Sequence, residues 1–113
     1  MDREPILIVA GEPNSIFLEI FFKSIKNIKY KSPLIIIVSK KLLIKQMKLL
    51  GFNYKIKLIN KDNLFFDNLN NKKINIIDVN YKFKYPFEKI SKKSNNYIAK
   101  CFEMALEILK KNK

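Results

Sequence analysis

Short apolar runs alternate with helical patterns along the chain. EPILIVA (4–10) and PLIIIVS (33–39) are continuous and rich in β-branched residues, which is typical of strands buried on both faces. Between and after these runs, apolar residues recur at intervals of three and four, the period of a helix that buries one face. YKIKLI (54–59) instead alternates apolar residues with lysine, and this predicts a half-exposed strand towards a sheet edge.

The complete pattern predicts four strands and three helices. The strands are expected near 5–10, 33–38, 54–59 and 74–79, and the helices near 14–27, 40–50 and 94–111. Ser39 is a candidate N-cap of the second helix, and Gly51 is a candidate C-cap. This order of elements is typical of an α/β fold, a three-layer sandwich with a mainly parallel sheet. We interpret residues 1–113 as a single α/β domain that is incomplete, because the last helix has no strand after it.

The spacing also predicts which residues of the first and last helices are buried. They are Ile16, Phe17, Ile20, Phe21, Ser24 and Ile25 in the first, and Ile98, Cys101, Phe102, Ala105, Leu106 and Leu109 in the last. Cys101 is the only cysteine, and we favour a buried structural thiol over a reactive one. Without a disulfide framework, a reducing, cytoplasmic setting is expected. No apolar run approaches the roughly 20 residues that span a bilayer, so no membrane partner is expected.

The net charge of +13 suggests nucleic acid as a partner, but the type and distribution of the basic residues argue against it. Arg3 is the only arginine, although arginine is the preferred reader of phosphates and bases. The lysines are scattered, and Lys, Ile and Asn share A/T-rich codons, so a solvated lysine surface is favoured. A basic nucleic-acid-binding module stays an alternative, because YKFKYPF (81–87) could stack bases between lysines. The competing interpretation is a loop whose aromatic residues pack beneath it.

The stretch GEPNSIFLE (11–19) predicts an elbow between the first strand and the first helix. Gly11 allows unusual backbone angles, Pro13 fixes φ, and Asn14 or Ser15 can cap the helix. Ligands of α/β proteins bind at the carboxyl ends of strands, where this elbow is expected to lie. Gly11, Glu12, Pro13 and Asn14 are therefore candidates to border a cleft, with Glu12 as a positioning group. A purely structural elbow, in which Glu12 meets solvent or a lysine, is the open alternative.

The run PILIVAGEPNSIFLEI resembles the N-terminal signature of the 4-hydroxythreonine-4-phosphate dehydrogenase family, I-x-x-G-[DE]-P-[AS]-G-I-[GA]-P-E. The matching positions are Gly11, Glu12, Pro13, Ile16 and Glu19, and the departures are Asn14, Ser15, Phe17 and Leu18. PLIIIVSKKLLIKQMKLLGFNYKI resembles the family's next strand and helix. SNNYIAKCFEMALEIL resembles the family helix that precedes a TGPINK strand. The resemblance spans nearly the whole chain and about a third of the family's length.

This resemblance implies the first lobe of the isocitrate/isopropylmalate dehydrogenase-like fold, as the N-terminal part of a two-lobed enzyme. The implied enzyme is a homodimer that oxidises 4-hydroxythreonine 4-phosphate, a small-molecule substrate, during pyridoxal 5'-phosphate (vitamin B6) biosynthesis. It uses NAD or NADP and a divalent metal (Zn, Mg or Co) that three histidines hold.

The chain itself lacks the residues that this chemistry needs. It contains no histidine, and its carboxylates offer only Glu103 and Glu107 at helical spacing, a pair that we interpret as solvated helix surface. We therefore assign no catalytic, cofactor-binding or metal-binding residue to it. We expect the chain alone to bind no cofactor and to be inactive, with the remainder of the dehydrogenase supplied by downstream sequence or a second chain. A non-catalytic partner of a complete dehydrogenase is a further alternative.

Overall fold

A parallel sheet forms the centre of the molecule. The computed structural model describes residues 4–62, 69–83 and 92–111. Within these ranges the strands are β1 (Ile6–Val9), β2 (Leu34–Val38), β3 (Ile56–Leu58) and β4 (Ile74–Asp78). They lie in the order β1-β2-β4-β3, and each neighbouring pair is parallel. The predicted α/β class with a mainly parallel sheet is confirmed, and β3 lies at an edge as its alternating pattern predicted.

Helices cover both faces of this sheet. They are α1 (Phe17–Asn27), α2 (Lys40–Leu49) and α3 (Lys92–Lys111). α1 and α2 pack against each other, whereas α3 packs against β1 and β2 with a separate core cluster. Connections between parallel strands are right-handed, and this handedness places α1 and α2 on one face of the sheet. α3 follows β4 and packs across β1 and β2, in the opposite direction along the sheet, so it is expected on the other face. The expected three-layer sandwich is therefore confirmed.

β2 lies between the two cores, and this explains its unbroken apolar sequence. All five of its residues are buried. Leu34, Ile36 and Val38 belong to the cluster that contains α1, whereas Ile35 and Ile37 belong to the cluster that contains α3. Successive side chains of a strand point to opposite faces, so a strand covered on both faces needs apolar residues at every position.

The buried face of α1 differs in part from the predicted one. The helix begins at residue 17, three residues later than expected. Its buried side chains are Leu18, Phe21 and Phe22, whereas Ile16 and Ile20 are exposed. Apolar residues surround the first two turns, so spacing alone allowed more than one face. The ring of Phe22 lies 5.4 Å from that of Phe52 and 6.1 Å from that of Tyr54, and this aromatic cluster determines which face is buried.

The predicted buried stripe of α3 is also wrong in part. The buried hydrophobic residues are Tyr97, Cys101, Ala105 and Ile108, and Ile98 is half-buried. Phe102, Leu106 and Leu109 are 52%, 60% and 56% exposed, and we call these three residues the α3 stripe. The helix has two apolar stripes, and the one that contains Tyr97 faces the sheet because the Tyr97 hydroxyl accepts a hydrogen bond from the Ser39 amide at 2.7 Å. The expected burial of Cys101 is confirmed.

Both predicted caps of α2 are confirmed. Ser39 Oγ accepts a hydrogen bond from the Leu42 amide at 3.2 Å. At the other end, Gly51 has φ 81°, its amide donates to the Lys48 carbonyl, and the Phe52 amide donates to the Met47 carbonyl. This pair of bonds is the Schellman motif, in which glycine takes the left-handed conformation. α2 is therefore a helix of fixed length between β2 and β3.

Some expectations fall outside the described residues. These include residues 84–87 of the aromatic and basic segment 81–87. Among the helices of the described ranges, none is both long enough and apolar enough to cross a membrane.

Candidate functional site

The elbow after β1 is a tight turn that its own polar atoms hold in place. Gly11 has φ 72°, a left-handed conformation that only glycine adopts without strain. A carboxylate oxygen of Glu12 accepts a hydrogen bond from the Asn14 amide at 3.0 Å. The Glu12 carbonyl accepts from the Ser15 hydroxyl at 2.8 Å, and Ser15 Oγ accepts from the Phe17 amide at 3.2 Å. The N-cap position of α1 is Ile16, which makes no side-chain cap bond, so the expected cap by Asn14 or Ser15 is wrong in position. Ser15 nevertheless binds the amide of Phe17, the first helical residue.

Other parts of the fold anchor this elbow. The side-chain amide of Gln46, which is buried on α2, donates to the Pro13 carbonyl at 2.9 Å. The Asn14 side chain donates to the Ser94 hydroxyl on α3 at 3.2 Å. Ser94 Oγ lies 3.4 Å from the hydroxyl of Tyr81, which follows β4. Four segments that are distant in sequence therefore meet at the carboxyl edge of the sheet.

A second junction joins the ends of β2 and β4. The Ser39 amide donates to the Tyr97 hydroxyl at 2.7 Å, and the Lys40 amide donates to the Asp78 carboxylate at 2.8 Å. Both amides belong to the start of α2, where backbone donors have no partner within the helix. α3 and β4 therefore satisfy two of the donors that a bound anion would otherwise use.

Tyr97 and Cys101 form a buried hydrogen-bonded pair beneath this edge. Burial raises the pKa of the Cys101 thiol to about 11, although its hydrogen bond with Tyr97 opposes the change. Burial also raises the pKa of the Tyr97 hydroxyl well above its ordinary value. Because the thiolate is the reactive form of cysteine, the neutral, enclosed Cys101 is unsuited to nucleophilic chemistry.

A cavity of about 620 Å³ lies beside the start of α2 and the segment after β4. Its lining includes Lys41, Lys45, Lys82, Tyr81 and Phe83 but not the elbow. Tyr81 is buried. Its ring stacks on that of Phe83 with a centroid distance of 5.9 Å and packs against that of Tyr97 with a centroid distance of 4.7 Å. A base cannot stack on a ring that is already enclosed, so Tyr81 supports the interpretation of segment 81–83 as packed structure rather than a nucleic-acid surface.

The residues present do not fit the metal centre that the family resemblance implies. The sequence has no histidine, and the described residues contain no group of three or more His, Cys, Asp or Glu side chains that could hold a metal ion. Glu107 instead pairs with Lys61 at 3.0 Å on the surface. The elbow does not fit a cofactor phosphate either, because its own oxygen atoms accept the amides of Asn14, Ser15 and Phe17. We derive no catalytic step through either group.

The most informative edge residues could not all be found from sequence. Asp78 follows four buried β4 residues at the carboxyl end of a strand, which is a recognisable signal. Gln46 occupies a position on α2 that has no distinguishing pattern. Its contact with Pro13 joins residues 33 positions apart, and only the three-dimensional fold reveals it.

Replacing Gly11 with alanine should lower the free energy of unfolding by about 1–2 kcal/mol. The added methyl group meets no atom within 4 Å, so the cost arises from the left-handed backbone rather than from crowding. Urea unfolding of the variant measures this effect. Lys100→Ala, on the exposed surface of α3, provides the control and should change the free energy of unfolding by less than about 0.5 kcal/mol. An unchanged midpoint for Gly11→Ala would show that the turn relaxes to another conformation.

The architecture first defines a class: a three-layer α/β sandwich whose parallel strands end at one edge, where loops and helix starts converge. Within that class, the structure is similar to a 4-hydroxythreonine-4-phosphate dehydrogenase from Burkholderia phymatum, with a TM-score of 0.76 and 18% sequence identity. The match covers 96% of this chain and 33% of that chain, so this chain spans about a third of the length of the enzyme. At this identity the similarity establishes the fold, and it confirms the structural resemblance expected from the sequence. No family model and no curated protein matches the chain.

Proposed function

We propose that this chain is the N-terminal part of an NAD(P)-dependent and divalent-metal-dependent dehydrogenase that oxidises 4-hydroxythreonine 4-phosphate in vitamin B6 biosynthesis. The observation that carries the proposal is the fold match over 96% of the chain to an enzyme of that name. The Gly-Glu-Pro elbow, which resembles that family's signature, supports it by its position at the carboxyl end of β1. The complete protein is proposed to be a cytoplasmic homodimer.

The role proposed for this chain is structural and positional. Its elbow, the start of α2 and the start of α3 are joined by hydrogen bonds at the edge where α/β proteins bind ligands. Such a joined edge can hold a neighbouring active site in fixed geometry. Glu12 contributes by ordering the turn through the Asn14 amide. The metal ligands and the nicotinamide site belong to the remainder of the enzyme.

Two surfaces are suited to receive that remainder. β1 is at an edge of the described sheet, and α3 packs across β1 and β2. A strand that follows α3 by a right-handed crossover would lie at the free edge of β1. Beside it, the α3 stripe presents three large apolar side chains to solvent, an arrangement that commonly marks a packing surface.

The first test is the coding sequence downstream of residue 113. We expect it to contain a TGPxxK strand and three histidines, either in frame or as a second chain. Produced together, the two parts should reduce NAD or NADP with 4-hydroxythreonine 4-phosphate and a divalent metal, as followed by absorbance of the reduced cofactor. The 113-residue chain alone should show neither turnover nor micromolar binding of zinc by calorimetry. Turnover by the chain alone, or a downstream sequence without these motifs, would contradict the proposal.

Matched variants test the packing surface in the same assay. Leu106→Lys places a charge in the α3 stripe and should abolish assembly and turnover, whereas Leu49→Lys on α2 should retain both. The two leucines are 60% and 63% exposed, so the substitutions are comparable in the isolated chain.

In the assembled enzyme, Glu12→Gln distinguishes a site role from a structural elbow. A tenfold fall in turnover at unchanged melting temperature supports the former.

A nucleic-acid-binding role has less support. Tyr81, the first aromatic residue of segment 81–87, is enclosed by other rings. Lysines of the described surface also form ion pairs, including Lys23 with Glu19 at 2.9 Å and Lys111 with Asp62 at 2.7 Å.

A further inference from the structure

A second cavity lies at the amino end of the sheet, on the opposite edge from the elbow. It has a volume of about 400 Å³ and lies between the end of α1 and the starts of β2 and β4. Small-molecule sites commonly have volumes of roughly 300–1,000 Å³. The proposed dehydrogenase role does not use this edge, so the cavity poses a separate question about ligand binding.

The wall of this cavity is largely apolar. Its apolar and aromatic lining residues are Phe21, Ile25, Ile28, Tyr30, Leu34, Tyr54 and Ile74. The Tyr54 hydroxyl donates to the Phe22 carbonyl at 3.0 Å, and burial raises the pKa of Tyr54, so this group stays neutral. Ile28 is about half exposed, which leaves apolar surface open to solvent at the rim. An apolar ligand body could cover that surface with a favourable free energy.

The rim carries positive charge without compensating acids. Lys29, Lys72 and Lys73 line the cavity and are exposed, and its lining contains no aspartate or glutamate. Among the described residues, none of these three ammonium groups forms an ion pair, in contrast to Lys23 and Lys61. Three like charges at one mouth create a positive potential that attracts an anionic group.

Two asparagines hold the polar side of the cavity in place. The Asn71 side chain accepts from the Leu34 amide at 2.9 Å and donates to the carbonyls of Tyr30 at 3.2 Å and Ser32 at 2.8 Å. The Asn75 side chain, which is buried, donates to the Leu34 carbonyl at 2.9 Å. These bonds fix the turn before β2 against the start of β4. The cavity is therefore organised before any ligand binds, which lowers the entropic cost of binding.

We propose that this cavity binds a small amphipathic anion, with its apolar body against α1 and its carboxylate or phosphate among Lys29, Lys72 and Lys73. The charge complementarity of the rim favours an anion over a neutral or cationic ligand. The apolar wall favours an alkyl or aryl body over a free inorganic ion. This inference stands on the amino edge of the sheet alone and does not depend on the dehydrogenase proposal.

The test uses calorimetric titration of the full chain with ten-carbon probes below their micelle concentrations. Decanoate should bind saturably and at least tenfold more tightly than decanol, its neutral counterpart, and decyltrimethylammonium should bind no more tightly than decanol. Decyl phosphate identifies the head group. If decyl phosphate binds more tightly than decanoate, the ligand class is assigned as a phosphate monoester. If decyl phosphate binds more weakly, the ligand class is assigned as a fatty acid. Either result supports an anionic amphiphile.

Variants then locate the binding. The double variant Lys72→Ala and Lys73→Ala should weaken decanoate binding about tenfold but leave decanol unchanged, because charge-assisted hydrogen bonds are lost. Ile28→Glu, at an exposed position, should weaken decanoate binding by a similar factor. The matched control, Lys48→Ala with Lys110→Ala, removes the same charge outside the cavity and should have no effect. Equal binding of decanoate and decanol, an equal loss in the control, or no saturable binding would overturn the proposal.

Discussion

Replacing Phe22 with alanine is expected to lower the free energy of unfolding by about 3–5 kcal/mol. Phe22 is fully buried, and its ring contacts those of Phe21, Phe52 and Tyr54. Removing the ring sacrifices the transfer free energy of a large apolar group and leaves a cavity beneath α1. It also removes aromatic contacts that contribute beyond the buried area.

Urea unfolding measures this loss, and Ile20→Ala provides the control on the same helix. Ile20 is about half exposed, so its truncation should cost less than about 1 kcal/mol. If Phe22→Ala leaves no folded state at 25 °C, Phe22→Leu gives a smaller version of the same change. Equal effects of Phe22→Ala and Ile20→Ala would show that α1 does not bury the face described above.

The stability of the chain should also fall as the pH rises from 9 to 11. The ordinary pKa of a cysteine thiol is 9.0, and burial in the folded chain raises the pKa of Cys101 to about 11. Between these values the unfolded chain releases a proton that the folded chain retains, so rising pH favours unfolding. At about 1.4 kcal/mol for each pKa unit, the loss approaches roughly 3 kcal/mol. The contribution is fully present below pH 9.

The difference between the native chain and Cys101→Ala isolates this effect from the many lysines that titrate in the same range. We measure the free energy of unfolding of both proteins by urea titration at pH 8, 9, 10 and 11. The values for the native chain and for Cys101→Ala should converge as the pH rises, because only the native chain has the thiol. Tyr97 is present in both proteins, and burial raises its pKa in both; because Cys101 adds to that rise, the decline due to Tyr97 should be smaller in Cys101→Ala, which reinforces the convergence. Parallel curves for the two proteins would show that the thiol does not titrate differently on folding.

Local requirements made part of the fold predictable. Gly51 could be placed because a helix end favours a residue that accepts positive φ, and Ser39 because a helix start needs a side-chain acceptor. The continuous apolar sequence of β2 indicated a strand covered on both faces. Each of these signals lies within a few residues of the feature that it predicts.

The choice between equivalent faces was not predictable in this way. Both apolar stripes of α3 satisfy the helical period, and the contact that selects one joins Ser39 to Tyr97, 58 positions later. The candidate site likewise combines a feature that nearby residues determine with one that a distant contact determines. The turn at Gly11 follows from local sequence, whereas its contact with Ser94 depends on how α3 crosses the sheet.

The free edge of β1 also bears on how the chain avoids self-association. The Ile6 amide donates to the Pro33 carbonyl just before β2, and the Ala10 amide donates to the Ile37 carbonyl of β2. Among the described residues no strand pairs with the other side of β1, so a second copy could extend the sheet there. Several features oppose this growth: β1 has four residues, Pro5 before it lacks an amide, and the net charge of +13 makes identical chains repel one another. High ionic strength weakens that repulsion. We therefore expect self-association of the chain to increase with salt concentration. Repulsion between lysine-rich surfaces is expected to oppose fibrous assembly at low salt.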